Sequence, residues 1–125
     1  QGQSSRTSYL ETYHQVDAIL DTFPFTGGTV TAEALWMGVP TITLAGDRLV
    51  ARQGQSIMEA CGLSDWVAND ISEYVTKAVT LTQDLQQLAA LRRRLRSQLN
   101  TSPLFDAPRF ARHLQDALIE IWRRQ

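Results

Sequence analysis

Asp21-Thr-Phe-Pro-Phe-Thr-Gly-Gly-Thr-Val-Thr-Ala-Glu-Ala-Leu-Trp-Met-Gly-Val-Pro40 is the stretch that decides how this chain folds. On its amino side, Val16-Asp-Ala-Ile-Leu20 has the short, apolar, β-branched character of a buried parallel strand. On its carboxyl side, Thr41-Ile-Thr-Leu44 repeats that character. Between them, Thr29 to Met37 makes about two helical turns, and Gly38 followed by Pro40 stops them in the expected order. The spacing predicts a strand–loop–helix–strand unit of an α/β fold.

The loop of that unit carries Gly27 and Gly28, then hydroxyls. Glycines allow close backbone approach, and free N–H groups at a helix amino end attract an anion through the helix dipole. Thr29 and Thr31 can cap the helix or donate to phosphate oxygens, and Glu33 lies near enough to receive the paired hydroxyls of a sugar. A Gly-Gly-Thr turn ahead of a helix also serves plain capping, and that alternative stands beside the ligand reading. Neither G-x-x-x-x-G-K-[ST] nor G-x-G-x-x-G is present, so the phosphate-loop and dinucleotide fingerprints do not apply.

Three stretches, Leu20-Asp-Thr-Phe-Pro-Phe, Gly27 to Pro40, and Gly46-Asp-Arg-Leu-Val-Ala-Arg-Gln-Gly-Gln-Ser56, resemble the donor-binding region of the O-linked N-acetylglucosamine transferase family. Plant SPINDLY-type and bacterial tetratricopeptide-linked members are the most similar. Ser102-Pro-Leu-Phe-Asp106, followed by an amphipathic helix ending in Ile121-Trp122, resembles the end of that catalytic region. The resemblance implies a GT-B glycosyltransferase built from two Rossmann-like domains. This chain would be the second half of the C-terminal one, a partial Rossmann-like domain with two or three parallel strands and C-terminal helices.

The resemblance further implies an inverting transfer of N-acetylglucosamine from a UDP-sugar to Ser or Thr of a protein acceptor. The UDP would be held by Gly27, Gly28, Thr29 and Val30 at the diphosphate, Glu33 at the ribose, and Tyr9 stacked on the uracil, with Arg6 near a base- or ribose-contacting position. For Tyr9 a core-facing aromatic, and for Arg6 a solvated charge, are the competing readings. Some relatives carry His followed by Thr-Thr where this chain has Gly28, Thr29 and Val30, and some have Asp where it has Glu33. These changes bear on which sugar is held. No catalytic residue, metal ligand or resident cofactor is assigned. A UDP-sugar epimerase, another two-domain glycosyltransferase and a non-catalytic helical interaction module are the alternatives.

Composition narrows the field. A chain of 125 residues with 43% hydrophobic and 20% charged residues suits one globular domain with a modest core. A formal charge of −1 gives no support to a nucleic-acid partner, and no run is apolar and long enough for a bilayer. Cys61 is alone, which excludes a disulfide within the chain and suits a reducing, cytoplasmic setting. The chain does not open with Met and offers few strands for a doubly wound sheet. Residues 1–125 are therefore expected to be a single unit excised from a larger protein, whose N-terminal catalytic domain and tetratricopeptide repeats lie elsewhere.

Along the rest of the chain, Gln1 to Thr7 reads as polar loop and Ser8 to Gln15 as a short helix. Val50, Gly54, Ile57, Met58 and Cys61 fall on one helical face, which Gly62 ends, with Gly54 expected close against the sheet. Arg52 and Ser56 are open to a donor-site or a packing role. Asp65 to Ala68 reads as a brief third strand, and Asp70 with Glu73 as a capping box opening a helix that buries Tyr74, Val75 and Ala78. Asp84 starts a helix with a leucine stripe from Leu85 to Leu99, bearing Arg92, Arg93, Arg94 and Arg96; these are expected to be a solvated face or interdomain contacts rather than a phosphate site. Asp106 caps a last helix with Phe110, Leu114, Ala117, Leu118 and Ile121 on its apolar face and His113 at its boundary. Without a covering domain that stripe is expected to be exposed and prone to self-association. His14 has no partner at a spacing that suits acid–base chemistry and is expected at the surface.

Overall fold

The computed structural model describes residues 5–124. Three parallel strands, β1 (Ile19–Leu20), β2 (Thr41–Leu44) and β3 (Val67–Ala68), lie in the order β1-β2-β3. Parallel neighbours need a crossover, and here helices supply it. Helix α2 (Thr29–Trp36) joins β1 to β2, and α3 (Gln53–Ala60) leads from β2 towards β3. The register pairs Ile19 with Thr41 and Leu20 with Ile42, then Thr43 with Val67 and Leu44 with Ala68. A short α1 (Arg6–Glu11) precedes the sheet, and α4 (Ile71–Gln83), α5 (Leu85–Asn100) and α6 (Ala107–Arg123) follow it.

Local chemistry sets the helix ends. Gly38 (φ 79°) and Gly62 (φ 70°) adopt the left-handed conformation that terminates α2 and α3. Asp70, Asp84 and Asp106 accept backbone N–H bonds at the starts of α4, α5 and α6. The Glu73 side chain closes back onto the Asn69 N–H at 2.7 Å, one residue earlier than a standard capping box would place it.

The main core gathers Leu35 of α2, Ile42 of β2, Met58 of α3, Val67 and Ala68 of β3, Tyr74 of α4, and Leu88, Leu91, Leu95 and Leu99 of α5. A smaller cluster of Tyr13, Ala34 and Val39 is flanked by Tyr9, Leu10, Ile19 and Met37. Arg92 donates to the Gly38 carbonyl and pairs with Asp17, while Arg96 lies 4.7 Å over the Trp36 ring. Two of the four clustered arginines thus fasten α5 to the carboxyl end of α2, and Arg93 and Arg94 stay exposed.

Several expectations are corrected. Arg6 and Thr7 belong to α1 rather than to a loop, and residues 1–4 of that stretch lie outside the described residues. The first strand begins at Ile19, not Val16. The third is shortened because a 3-10 turn over Ser64–Trp66 turns Trp66 into the core before the pairing starts. The helix expected from Val50 begins at Gln53, since the Val50 carbonyl is taken by Thr26 in the preceding loop. Val75 is exposed: the Tyr74 hydroxyl bonds the Asp21 carbonyl at 2.8 Å and turns Tyr74, Ala78 and Leu81 inward, leaving Ile71, Val75 and Val79 outside. His113 is exposed along with all of α6, which buries no residue.

The contrast between α5 and α6 is testable by truncation. Leu95→Ala, at a fully buried site, is expected to cost about 2–5 kcal/mol in denaturant unfolding. Leu118→Ala on α6 is expected to stay within about 0.5 kcal/mol in this chain.

Candidate functional site

The loop between β1 and α2 is held from both sides. At the end of β1, the buried Asp21 carboxylate accepts the Gly27 N–H through Oδ1 at 2.8 Å and the Thr43 hydroxyl through Oδ2 at 2.8 Å. Thr26, fully buried, donates its hydroxyl to the Val50 carbonyl at 3.1 Å and accepts the Gly54 N–H of α3 at 3.1 Å. Glycine is required at two of these places. A Cβ on Gly27 would lie 2.5 Å from Thr31 Oγ1, and one on Gly54 would lie 2.2 Å from Thr43 Oγ1 and 2.6 Å from Asp21 Oδ2. The expectation that Gly54 lies close against the sheet is met.

Beyond this clamp, the amino end of α2 is open. Gly28 is the N-cap and has no side chain to cap with, and Thr29 is the first residue of the helix rather than its cap. The first backbone bond of the helix is Ala32 N–H to the Gly28 carbonyl at 3.1 Å. Helix geometry leaves the preceding N–H groups without an intrahelical acceptor. Thr29 and Val30 are exposed, and Gly28 is half-buried. Helices α1, α4, α5 and α6, by contrast, are each closed by a Ser or Asp side chain. The end of α2 therefore presents unspent donors and a positive dipole end.

Beside it lies a cavity of about 370 Å³ lined by Arg6, Leu10, Thr29, Ala32, Glu33, Trp36 and Phe105. Thr29 and Glu33 thus share one hollow. Arg6 reaches Glu33 at 2.9 Å, so the carboxylate read as a partner for sugar hydroxyls already holds a cation. Tyr9 does not line this cavity. It meets Tyr13 edge-on at 5.6 Å, with the two hydroxyls 2.7 Å apart, and it flanks the smaller core cluster. Burial first, and then the bond to Tyr9, push the Tyr13 phenol above the ordinary tyrosine range.

Sequence reasoning missed Asp21, Thr26 and Thr43 and read Tyr74 only as a buried residue, yet these side chains from the end of β1, its loop, β2 and α4 converge on the loop. The one available signal was an acidic residue immediately after a buried strand. Arg52 bonds the Gly46 carbonyl at 3.2 Å, a packing role, while Ser56 and His14 are exposed. Among the described residues no group of three His, Cys, Asp or Glu is placed to hold a metal ion, and no helix is long and apolar enough to cross a membrane.

In this α/β unit the glycine loop, the helix end and the hollow lie beyond the strand ends, where open parallel sheets gather the loops that face ligands. The profile of Glycosyl transferase family 41 matches residues 7–114, and the chain belongs to that family. It is 38% identical over 116 residues to a probable UDP-N-acetylglucosamine–peptide N-acetylglucosaminyltransferase SPINDLY of Solanum lycopersicum, an alignment covering 93% of this chain and 12% of that protein. It is 33% identical over 108 residues to a UDP-N-acetylglucosamine–peptide N-acetylglucosaminyltransferase of Caenorhabditis elegans, covering 86% of this chain and 9% of that one. The fold superimposes on a mutant of the O-GlcNAc transferase of Thermobaculum terrenum with a TM-score of 0.89 and 40% identity, over 97% of this chain and 23% of that one. The chain therefore spans a small part of the length of the relatives it matches, and its three parallel strands with C-terminal helices match part of a GT-B glycosyltransferase.

The paired phenols give a direct check on this corner of the site. A raised tyrosine value means the folded state holds its proton more tightly, so this contribution to stability is present below pH 10.0 and is lost as pH rises above it. Ultraviolet titration is expected to show phenols ionising later than free tyrosine, and Tyr13→Phe is expected to remove one such late step while leaving that of Tyr74, whose phenol burial also pushes up.

Proposed function

We propose that this chain is one part, a single unit of the nucleotide-sugar-binding C-terminal domain, of a UDP-sugar-dependent glycosyltransferase that transfers N-acetylglucosamine to Ser or Thr of a protein acceptor. The observation that carries the reading is the open, uncapped amino end of α2 behind a glycine loop pinned to the strand ends, in a member of glycosyl transferase family 41. The diphosphate rests against the N–H groups of Gly28, Thr29 and Val30, with Gly27 letting the backbone approach and the Thr29 hydroxyl adding a donor. Glu33 takes the ribose hydroxyls from the adjoining cavity, with Arg6 beside it. Tyr9 borders the base side through its pairing with Tyr13.

In the transfer, the acceptor hydroxyl oxygen attacks the anomeric carbon and gives up its proton to a base outside this chain or to water, the bond from that carbon to the diphosphate oxygen breaks, and UDP leaves. Negative charge on the diphosphate grows along this path. Donors fixed at its position stabilise the transition state more than the ground state. The donor sugar is a substrate, so no resident cofactor is invoked. The acceptor-facing groups and a basic partner for the diphosphate are assigned to an N-terminal catalytic domain outside this chain, with tetratricopeptide repeats beyond it and a cytoplasmic setting.

The uncovered apolar stripe of α6, with Phe110 and Trp122 66% and 79% exposed, favours one accompanying reading. The stripe packs on the rest of the enzyme, and in the isolated chain it drives self-association. Calorimetric titration with UDP tests the whole proposal. The intact protein is expected to bind, this chain to bind weakly without turnover, and Gly28→Asp to abolish binding. That substitution sets a carboxylate at the diphosphate, from a Cβ only 3.0 Å from Gln53 Oε1. Turnover by this chain alone, or unchanged binding by Gly28→Asp, contradicts it. Products formed from UDP-N-acetylglucosamine with and without a peptide separate transfer from epimerisation.

A further inference from the structure

The twin glycines raise a physical difficulty. Gly27 and Gly28 allow close approach, but glycine backbone is also the least restrained, and a mobile donor set would have to be ordered by each incoming diphosphate. We infer that Asp21 is a positioning residue: its carboxylate fixes the Gly27 peptide so that the next three N–H groups stand ready for the anion. This rests on the reading of α2 as the diphosphate site.

The geometry supports this from several elements at once. Asp21 closes β1, takes the Gly27 N–H at one oxygen, and takes the Thr43 hydroxyl of β2 at the other. Its own carbonyl accepts the Tyr74 hydroxyl of α4. The space its Oδ2 occupies exists because residue 54 of α3 has no Cβ. Asp21 as a residue is 7% exposed, and among the described residues no cationic side chain pairs with its carboxylate. A buried charge without a counter-ion is costly to keep. It is held here by two directed donors, one of them the loop peptide that leads into α2. Gly27 N–H is thereby spent on the protein, which separates it in role from Gly28, Thr29 and Val30.

Three substitutions in the intact protein separate positioning from charge and from simple fold maintenance. Asn at this position can accept the Gly27 N–H with its oxygen and donate its amide to Thr43 Oγ1, so Asp21→Asn is expected to keep UDP affinity within about threefold. Asp21→Ala removes both bonds and is expected to weaken UDP binding by about tenfold or more, measured calorimetrically well below the melting temperature. Thr43→Val keeps the side-chain shape, removes one donor, and is expected to weaken binding by about threefold or more even if the alanine variant does not fold. Affinity unchanged or tighter in Asp21→Ala, unchanged affinity in Thr43→Val, or equal losses in the Asn and Ala variants, overturns the inference. Failure of the unaltered protein to bind UDP overturns the diphosphate site itself, and with it this role for Asp21.

Discussion

One buried carboxylate joins the parts of this fold that matter for binding. Asp21 ties the end of β1 to the glycine loop and to β2, and its backbone carbonyl receives Tyr74 from α4. Thr26 repeats the arrangement a few residues on, linking the loop to Val50 and to the start of α3. Strand ends in a parallel sheet gather loops on one side, and ligands of such folds bind there. What this chain adds is a loop whose own polar groups are largely satisfied internally. The amino end of α2 is the exception, without a side-chain cap, its Gly28 half-buried and its Thr29 and Val30 exposed.

The same economy explains why the basic cluster on α5 is not a phosphate site for this helix. Arg92 and Arg96 grip Gly38 and Trp36, at the carboxyl end of α2, opposite the end that the anion needs. Cations there also suit the negative pole of the dipole. Elsewhere the chain leaves apolar surface uncovered. The outer row of α4 (Ile71, Val75, Val79) is exposed, and a groove of about 730 Å³ runs from Val16 and Leu20 to Val79 and Leu85 along the unpaired edge of β1. Parallel sheets are covered on both faces in the folds that use them, and these apolar surfaces are left uncovered within the described residues.

Much of this was legible in the sequence because it depends on local rules. The strand–loop–helix–strand unit, the glycine stops at Gly38 and Gly62, the Asp caps and the buried leucines of α5 follow from periodicity and capping chemistry. The misreadings have tertiary causes. Val75 was displaced from the core by one bond from Tyr74 across the sequence, and Trp66 was taken out of its strand by a turn. His113, read as boundary packing, is exposed because α6 buries no residue, whereas the exposed stripe of that helix is as expected without a covering domain. The Asp21 clamp was invisible for a related reason: Gly27, Thr43 and Gly54 meet it only in space. For the candidate ligand residues, their position on the loop and helix was legible, but the pairing of Glu33 with Arg6 and of Tyr9 with Tyr13 was not.

The central claim, that a diphosphate docks on the free N–H groups at the start of α2, is tested most directly by following backbone amide resonances of the intact, isotope-labelled protein during titration with UDP. The account predicts that the Gly28, Thr29 and Val30 amides shift most, while Gly27, already bonded to Asp21, moves little. Largest shifts at Arg93 and Arg94, or none near α2, would contradict it.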